Sequence, residues 1–222
     1  MNRRPLIVAS LPVRSLSDIE KARRVVGPDL VELRLDYAES LAEIPVERVA
    51  TLDRSVIVTI REQSEGGVKP VESRAKARYL LRLHELGVLY DVEASFIESN
   101  SVPYEGKIVS AHYLRRLPTE SELQSLIERY ADRAFCVKIA IQPAPGYRRL
   151  LSSALDLGYD NVAVMPLSSD PRERLAFALL GSMLVYTYIE EPTAPGQLRY
   201  DDFLKIWRNI EETLSLQQHL ER

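Results

Sequence analysis

Lys138 stands near the middle of the run Phe135-Cys-Val-Lys-Ile-Ala-Ile-Gln142, which otherwise reads as a buried strand. Period-2 geometry puts Val137, Ile139 and Ile141 on one face and Lys138 on the other, with Cys136, Ala140 and Gln142. An ammonium group leaves water only when it is paired or gives up its proton, so the second face must be polar or open onto a cavity. An edge strand whose lysine reaches solvent is the plain alternative.

Polar residues alternate in the same way near the ends of other apolar runs: Glu32, Arg34 and Asp36 in VELRLD, Arg61 after VIVTI, Asp91 and Glu93, then Ser110 and His112. Each has a purely structural explanation. Asp36 could cap a loop, Asp91 and Glu93 could pair with Arg34, and a lone His112 could be a satisfied core histidine. Gathered in one cavity, however, they form a set that packing alone does not require. A lysine there, with neighbouring arginines and little water, could fall roughly 3 units below its usual pKa near 10.4 and become a nucleophile toward a ketone or aldehyde. The resulting protonated imine draws electrons from the adjacent carbon. His112, one strand away, is suited to taking and returning the proton, and Arg34 and Arg61 to holding an anionic or hydroxylated substrate.

These side chains need a scaffold, and the chain supplies a regular one. Eight β-rich runs begin at Leu6, Leu30, Val56, Leu89, Lys107, Phe135, Asn161 and Leu184, and they alternate with amphipathic stretches. Ser17 with Glu20 and Thr119 with Glu122 read as capping boxes, and Asp170-Pro171 as a cap followed by an N1 proline. Gly87 and Gly158 fall where helices should end, and FIESNSVPYEG leaves room for only a turn or two. In the last helix Phe203, Ile206, Trp207, Ile210 and Leu214 form one stripe, for packing on the barrel or on another subunit. No linker divides residues 1–222, so the expectation is a single-domain (β/α)8 TIM barrel. An open doubly wound sheet is the alternative, but it would bury the charges of VELRLD under helices, whereas a barrel mouth accommodates them.

The 222 residues are 45% hydrophobic and 27% charged, an ordinary globular composition. A net charge of −3 argues against nucleic acid and anionic membrane partners and favours a small molecule. The single cysteine, Cys136, excludes an intrachain disulfide, offers no zinc spacing and fits a reducing cytoplasm. The apolar run in MNRRPLIVASLPVRS is too short for a signal segment, and the run from Leu175 to Ile189 is broken by Gly181 and Ser182, so neither reads as a membrane span. There is no GxGxxG, Walker or HExxH sequence, and MPLSSDP lacks the glycine of a barrel phosphate cradle. His84 and His219 carry no assigned role.

VELRLD, TIREQSEGG, SAH, VKIA and TAPGQL, in that order and spacing, resemble type I 3-dehydroquinate dehydratase, the Schiff-base enzyme of the shikimate pathway, over almost the whole chain. The resemblance implies a (β/α)8 barrel, no metal or organic cofactor, a homodimer, and dehydration of 3-dehydroquinate to 3-dehydroshikimate. It also implies roles. Lys138 is similar to the imine-forming lysine, His112 to the general base and acid, and Glu65 to the carboxylate that orients it. Ser10, Glu32, Arg34 and Arg61 resemble substrate-binding positions, as do Arg174, Thr193 and Gln197 at the carboxylate and lid end. Departures accompany the match. Arg172 and Arg174 compete for the carboxylate position, with Arg174 giving the better helix register; Thr193 replaces a serine; Tyr113 replaces an acidic residue; and the chain enters its first strand without an N-terminal hairpin, leaving Arg4 and Pro5 to cover the barrel floor. Three rival readings remain: a metal-dependent barrel using Glu32, Asp91, Glu93 and His112, a Schiff-base aldolase, and a catalytically silent sensor.

Overall fold

A computed structural model describes residues 4–52 and 56–220, with the side chains of the last helix described through Leu214. Each strand is followed by a helix. The strands are β1 Leu6–Pro12, β2 Leu30–Arg34, β3 Val56–Thr59, β4 Leu89–Glu93, β5 Ile108–Tyr113, β6 Cys136–Ile141, β7 Val162–Pro166 and β8 Leu184–Tyr188. The helices are α1 Leu16–Ala22, α2 Val46–Ala50, α3 Ser73–Glu85, α4 Ala94–Asn100, α5 Glu120–Tyr130, α6 Tyr147–Leu155, α7 Pro171–Leu179 and α8 Tyr200–Leu220.

The strands are all parallel in the order β7-β6-β5-β4-β3-β2-β1-β8, and β7 and β8 meet to make a nearly closed (β/α)8 barrel. The open-sheet alternative is thereby excluded. At this seam the Met183 N–H donates to the Val162 carbonyl at 2.9 Å. A side chain completes the closure: Ser182 Oγ accepts from Val164 N–H at 2.9 Å and lies 3.0 Å from the Leu184 carbonyl.

Alternation along the strands divides the molecule into an outer and an inner core. Outward residues such as Ile7, Leu33, Val58, Val92, Ile139 and Val164 are buried against the helices. Inward residues change character along the barrel axis. At the N-terminal end Val8, Leu30, Ile57, Ile108, Cys136, Ala163 and Leu184 form an apolar plug. Two residues further along each strand the same inward faces carry Ser10, Glu32, Thr59, Asp91, Ser110 and Lys138. At the floor Pro5 is buried, and exposed Arg4 pairs with Asp29.

Several boundaries differ from the sequence reading, each for a local reason. β2 stops at Arg34, and Leu35–Tyr37 make a 3-10 turn, so Asp36 is not on the strand face. Ala94 and Ser95 begin α4 rather than ending β4. The first cap is Ser15, not Ser17, because buried Asp18 is the third residue of α1 and accepts from the N–H groups of Arg14 and Ser15 at 2.9 and 3.0 Å. The Thr119–Glu122 box and the Asp170 cap form as expected. The apolar stripe of α8 splits: Phe203 and Trp207 stack and bury against the barrel, whereas Ile206 and Leu214 are exposed. Among the described residues no helix is long and apolar enough to cross a membrane.

The seam yields a direct test. Ser182→Ala leaves the buried Val164 N–H without its acceptor and is expected to destabilise the fold by about 1–3 kcal/mol. In a thermal melt that corresponds to a fall of very roughly 2–4 °C per kcal/mol for a domain of this size.

Candidate active site

The C-terminal end of the barrel encloses a cavity of about 220 Å³. Its lining includes Glu32, Arg34, Arg61, Glu65, His112, Lys138, Arg174, Thr193 and Gln197, so nine of the ten expected site residues face one space. The tenth, Ser10, is fully buried just behind it and donates to Glu32 Oε2 at 2.5 Å. Thr59, on β3, donates to the other Glu32 oxygen at 2.7 Å.

Lys138 is 5% exposed and does not reach bulk solvent. Its Nζ forms a salt bridge with Asp91 Oδ2 at 2.9 Å. The charged group nearest the amine is thus a carboxylate and not an arginine. The same Oδ2 lies 2.8 Å from Arg61 Nη2, while Oδ1 accepts from Ser110 Oγ at 2.6 Å. Burial alone would raise the Asp91 pKa, but Arg61 and Lys138 outweigh it and hold the carboxyl well below the usual range.

Arg61 is also bonded to Glu93 Oε1 at 2.9 Å, so Asp91 and Glu93 pair with Arg61 and not, as the sequence suggested, with Arg34. Arg34 instead makes a bidentate pair with Asp36, both bonds 2.8 Å, which only the 3-10 turn after β2 permits. The network extends beyond the expected residues. Fully buried Lys76 of α3 reaches Glu93 Oε2 at 2.6 Å and Glu62 Oε1 at 2.8 Å, with its Nζ 4.2 Å from the centre of the Phe96 ring. Its signal was present in the sequence: Lys76 shares the apolar stripe of Tyr79, Leu80 and Leu83.

Glu65 is placed by the turn that follows it. Gly66 adopts φ +94, and a side chain at Gly67 would put its Cβ 2.1 Å from the Arg61 carbonyl oxygen, so the Gly-Gly pair is what lets the chain fold back. Glu65 Oε2 then accepts from the His112 backbone N–H at 2.9 Å and lies 3.0 Å from Nδ1, while Ser95 Oγ donates to Oε1 at 2.8 Å. With Nδ1–H committed to Glu65, Nε2 is the basic nitrogen. Burial, then Arg61 and Lys138, push the His112 pKa well below the histidine range, so the ring is neutral at pH 7. Burial raises that of Glu65.

The segment after β8 closes the mouth. Arg174 Nη2 and Nε donate to the Pro195 carbonyl at 2.7 and 3.1 Å, and Arg34 Nη1 to the Thr193 carbonyl at 3.4 Å. Gln197 Oε1 gathers the N–H groups of Thr193 and Ala194 at 2.7 and 3.1 Å. Burial brings the Arg174 pKa down to about 10. Arg172, its competitor for the carboxylate position, is on the outside and paired with Asp170.

The carboxylates of the metal-site reading are spent on these partners, and among the described residues no three of His, Cys, Asp and Glu gather as a metal site. What remains is an amine, a neutral imidazole and three arginines around an enclosed space, a set suited to imine chemistry and proton transfer on a small anionic carbonyl compound.

The family model described as type I 3-dehydroquinase matches residues 7–145. The chain is 48% identical over 200 residues to the 3-dehydroquinate dehydratase of Metallosphaera sedula, covering 90% of this chain and 95% of that one. It is 39% identical over 213 residues to that of Saccharolobus solfataricus, covering 94% and 96%. Among solved structures, the type I 3-dehydroquinate dehydratase of Clostridium difficile with covalently modified comenic acid superposes with a TM-score of 0.72 at 22% identity, covering 93% of each chain.

Two outcomes follow from the electrostatics. Asp91→Asn leaves Arg61 and Lys138 without their shared carboxylate, and chemical denaturation should show a loss of about 3–5 kcal/mol. The folded-state pKa of His112 lies below its unfolded value near 6.5, so as pH falls through 6.5 the unfolded chain takes up a proton that the folded chain refuses, and stability declines. NMR titration should find the His112 ring neutral at pH 6 and stability lower at pH 5.5 than at pH 7.

Proposed function

The chain belongs to the type I 3-dehydroquinase family and is a hydro-lyase that dehydrates 3-dehydroquinate to 3-dehydroshikimate in aromatic amino acid biosynthesis, and from that premise we propose that the reaction runs through an imine on Lys138. The observation that carries this reading is a single enclosed cavity lined by both the Lys138 amine and a neutral His112.

The Lys138 nitrogen attacks the ketone carbon, the two protons it loses pass to the former ketone oxygen, and that oxygen leaves the carbinolamine as water to give a protonated imine. His112 Nε2 removes a proton from the carbon next to the imine, giving an enamine. Electrons return through that enamine as the hydroxyl on the following carbon departs, taking the proton from His112 to leave as water. A water molecule then hydrolyses the conjugated imine and restores Lys138, so the net change is the loss of one water. Glu65 holds the His112 ring by Nδ1 throughout, and Asp91 stays ionised to balance the cationic imine.

Glu32, with Ser10 and Thr59 behind it, and Arg34 and Arg61 suit the substrate hydroxyls. Arg174, Thr193 and Gln197 suit its carboxylate, since a guanidinium, a hydroxyl and a side-chain amide line that end of the cavity. No metal or organic cofactor is required by these steps. A homodimer is supported by the exposed Ile206 and Leu214 on α8, and a reducing cytoplasm by the buried Cys136.

Borohydride added during turnover should reduce the imine and attach the substrate skeleton at Lys138, detected by peptide mass; an unmodified Lys138 would defeat the mechanism. Lys138→Ala should abolish turnover. His112→Ala should still be trapped as the adduct while turnover falls roughly 10²–10⁴-fold. An enone absorbance with no carbon fragment released separates dehydration from aldol cleavage.

A further inference from the structure

Tyr186 was not among the expected site residues. It belongs to the inward face of β8, lines the cavity and is 4% exposed. Lys138 Nζ lies 4.2 Å from the centre of its ring. Its phenolic oxygen is buried and has no hydrogen-bond partner among the described residues.

The neighbouring polar groups are otherwise engaged. Glu32 accepts from Ser10 and Thr59, and Asp91 from Ser110, Arg61 and Lys138. A buried hydroxyl left unpaired destabilises the fold, and a phenylalanine would keep the ring contact with Lys138 without that penalty. The protein itself thus gives the hydroxyl no partner, and a bound ligand can supply one. Burial holds its proton on, with a pKa far above that of an ordinary phenol, so at neutral pH it is available as a donor and not as a base.

We propose that Tyr186 Oη donates a hydrogen bond to an oxygen substituent of the hydroxylated ring bound at Lys138, making Tyr186 a further substrate-contacting residue. This rests on the cavity being the substrate site. A donor fixed beside the reacting nitrogen limits how the ring can turn about the new carbon–nitrogen bond, and so which of its hydrogens is presented to His112.

The test is Tyr186→Phe in the full-length protein, with three measurements: the thermal midpoint without ligand, kcat/KM from the enone absorbance, and the borohydride adduct at Lys138. The expected result is a midpoint equal to or above that of the unmodified chain, a kcat/KM lowered about tenfold, as for one lost hydrogen bond, and an adduct that still forms. An unchanged or higher kcat/KM would overturn the proposal. So would a midpoint lowered by several degrees, because the hydroxyl would then have a structural partner. Failure of the unmodified chain to form an adduct would defeat the imine mechanism, while the kcat/KM comparison would continue to judge Tyr186.

Discussion

The carboxylate of Asp91, shared between Arg61 and Lys138, is the interaction on which the rest of the site depends. Taken out of water, either cation alone would be expelled or neutralised; with the carboxylate between them both stay inside the barrel. The charges continue in alternation, Lys76 to Glu93 to Arg61 to Asp91 to Lys138, from a helix on the outside to the cavity within. Such a chain fixes its members in place, since moving one leaves its neighbours unpaired. Beneath it the apolar plug seals the barrel, which leaves the mouth at the C-terminal ends of the strands as the way in.

Much of this was legible in the sequence because strand alternation carries it. Once eight short runs are recognised, a period of two assigns Glu32, Asp91, Ser110 and Lys138 to one interior without knowledge of the strand register. Pairings are another matter. Whether Asp91 meets Arg34 or Arg61 depends on strand stagger and on where β2 ends, and the 3-10 turn that turns Asp36 back on Arg34 leaves no mark in hydrophobic pattern. Lys76 was overlooked because helical lysines are usually solvated, although its place on the α3 stripe was readable. Tyr186 was overlooked because an aromatic residue in an apolar strand raises no question until its hydroxyl is seen to be unpaired. The roles of Glu65, Arg174, Thr193 and Gln197 came from likeness to a family, since each lies on a loop or helix with no periodicity to read.

The closing segment is held over the cavity by two of the arginines that line it. Arg174 and Arg34 hold carbonyl oxygens of the segment itself, where an incoming anion would compete for the same guanidinium groups. A carboxylate is a stronger acceptor than a neutral carbonyl, so it is a strong competitor for these groups. The approach is close: Gly196 adopts φ +69, and a Cβ there would lie 2.2 Å from the Ser168 carbonyl oxygen. Any larger residue at that position would hold the cover away from the loop after β7.

Because β1 pairs with β8, residues near the two extremes of the chain stand side by side, Ser10 against Tyr188 and Val8 against Tyr186. The reaction chamber thus borrows its walls from nearly the entire polypeptide, and no contiguous fragment contains a working subset. The cavity is therefore completed only when the final strand lies beside the first.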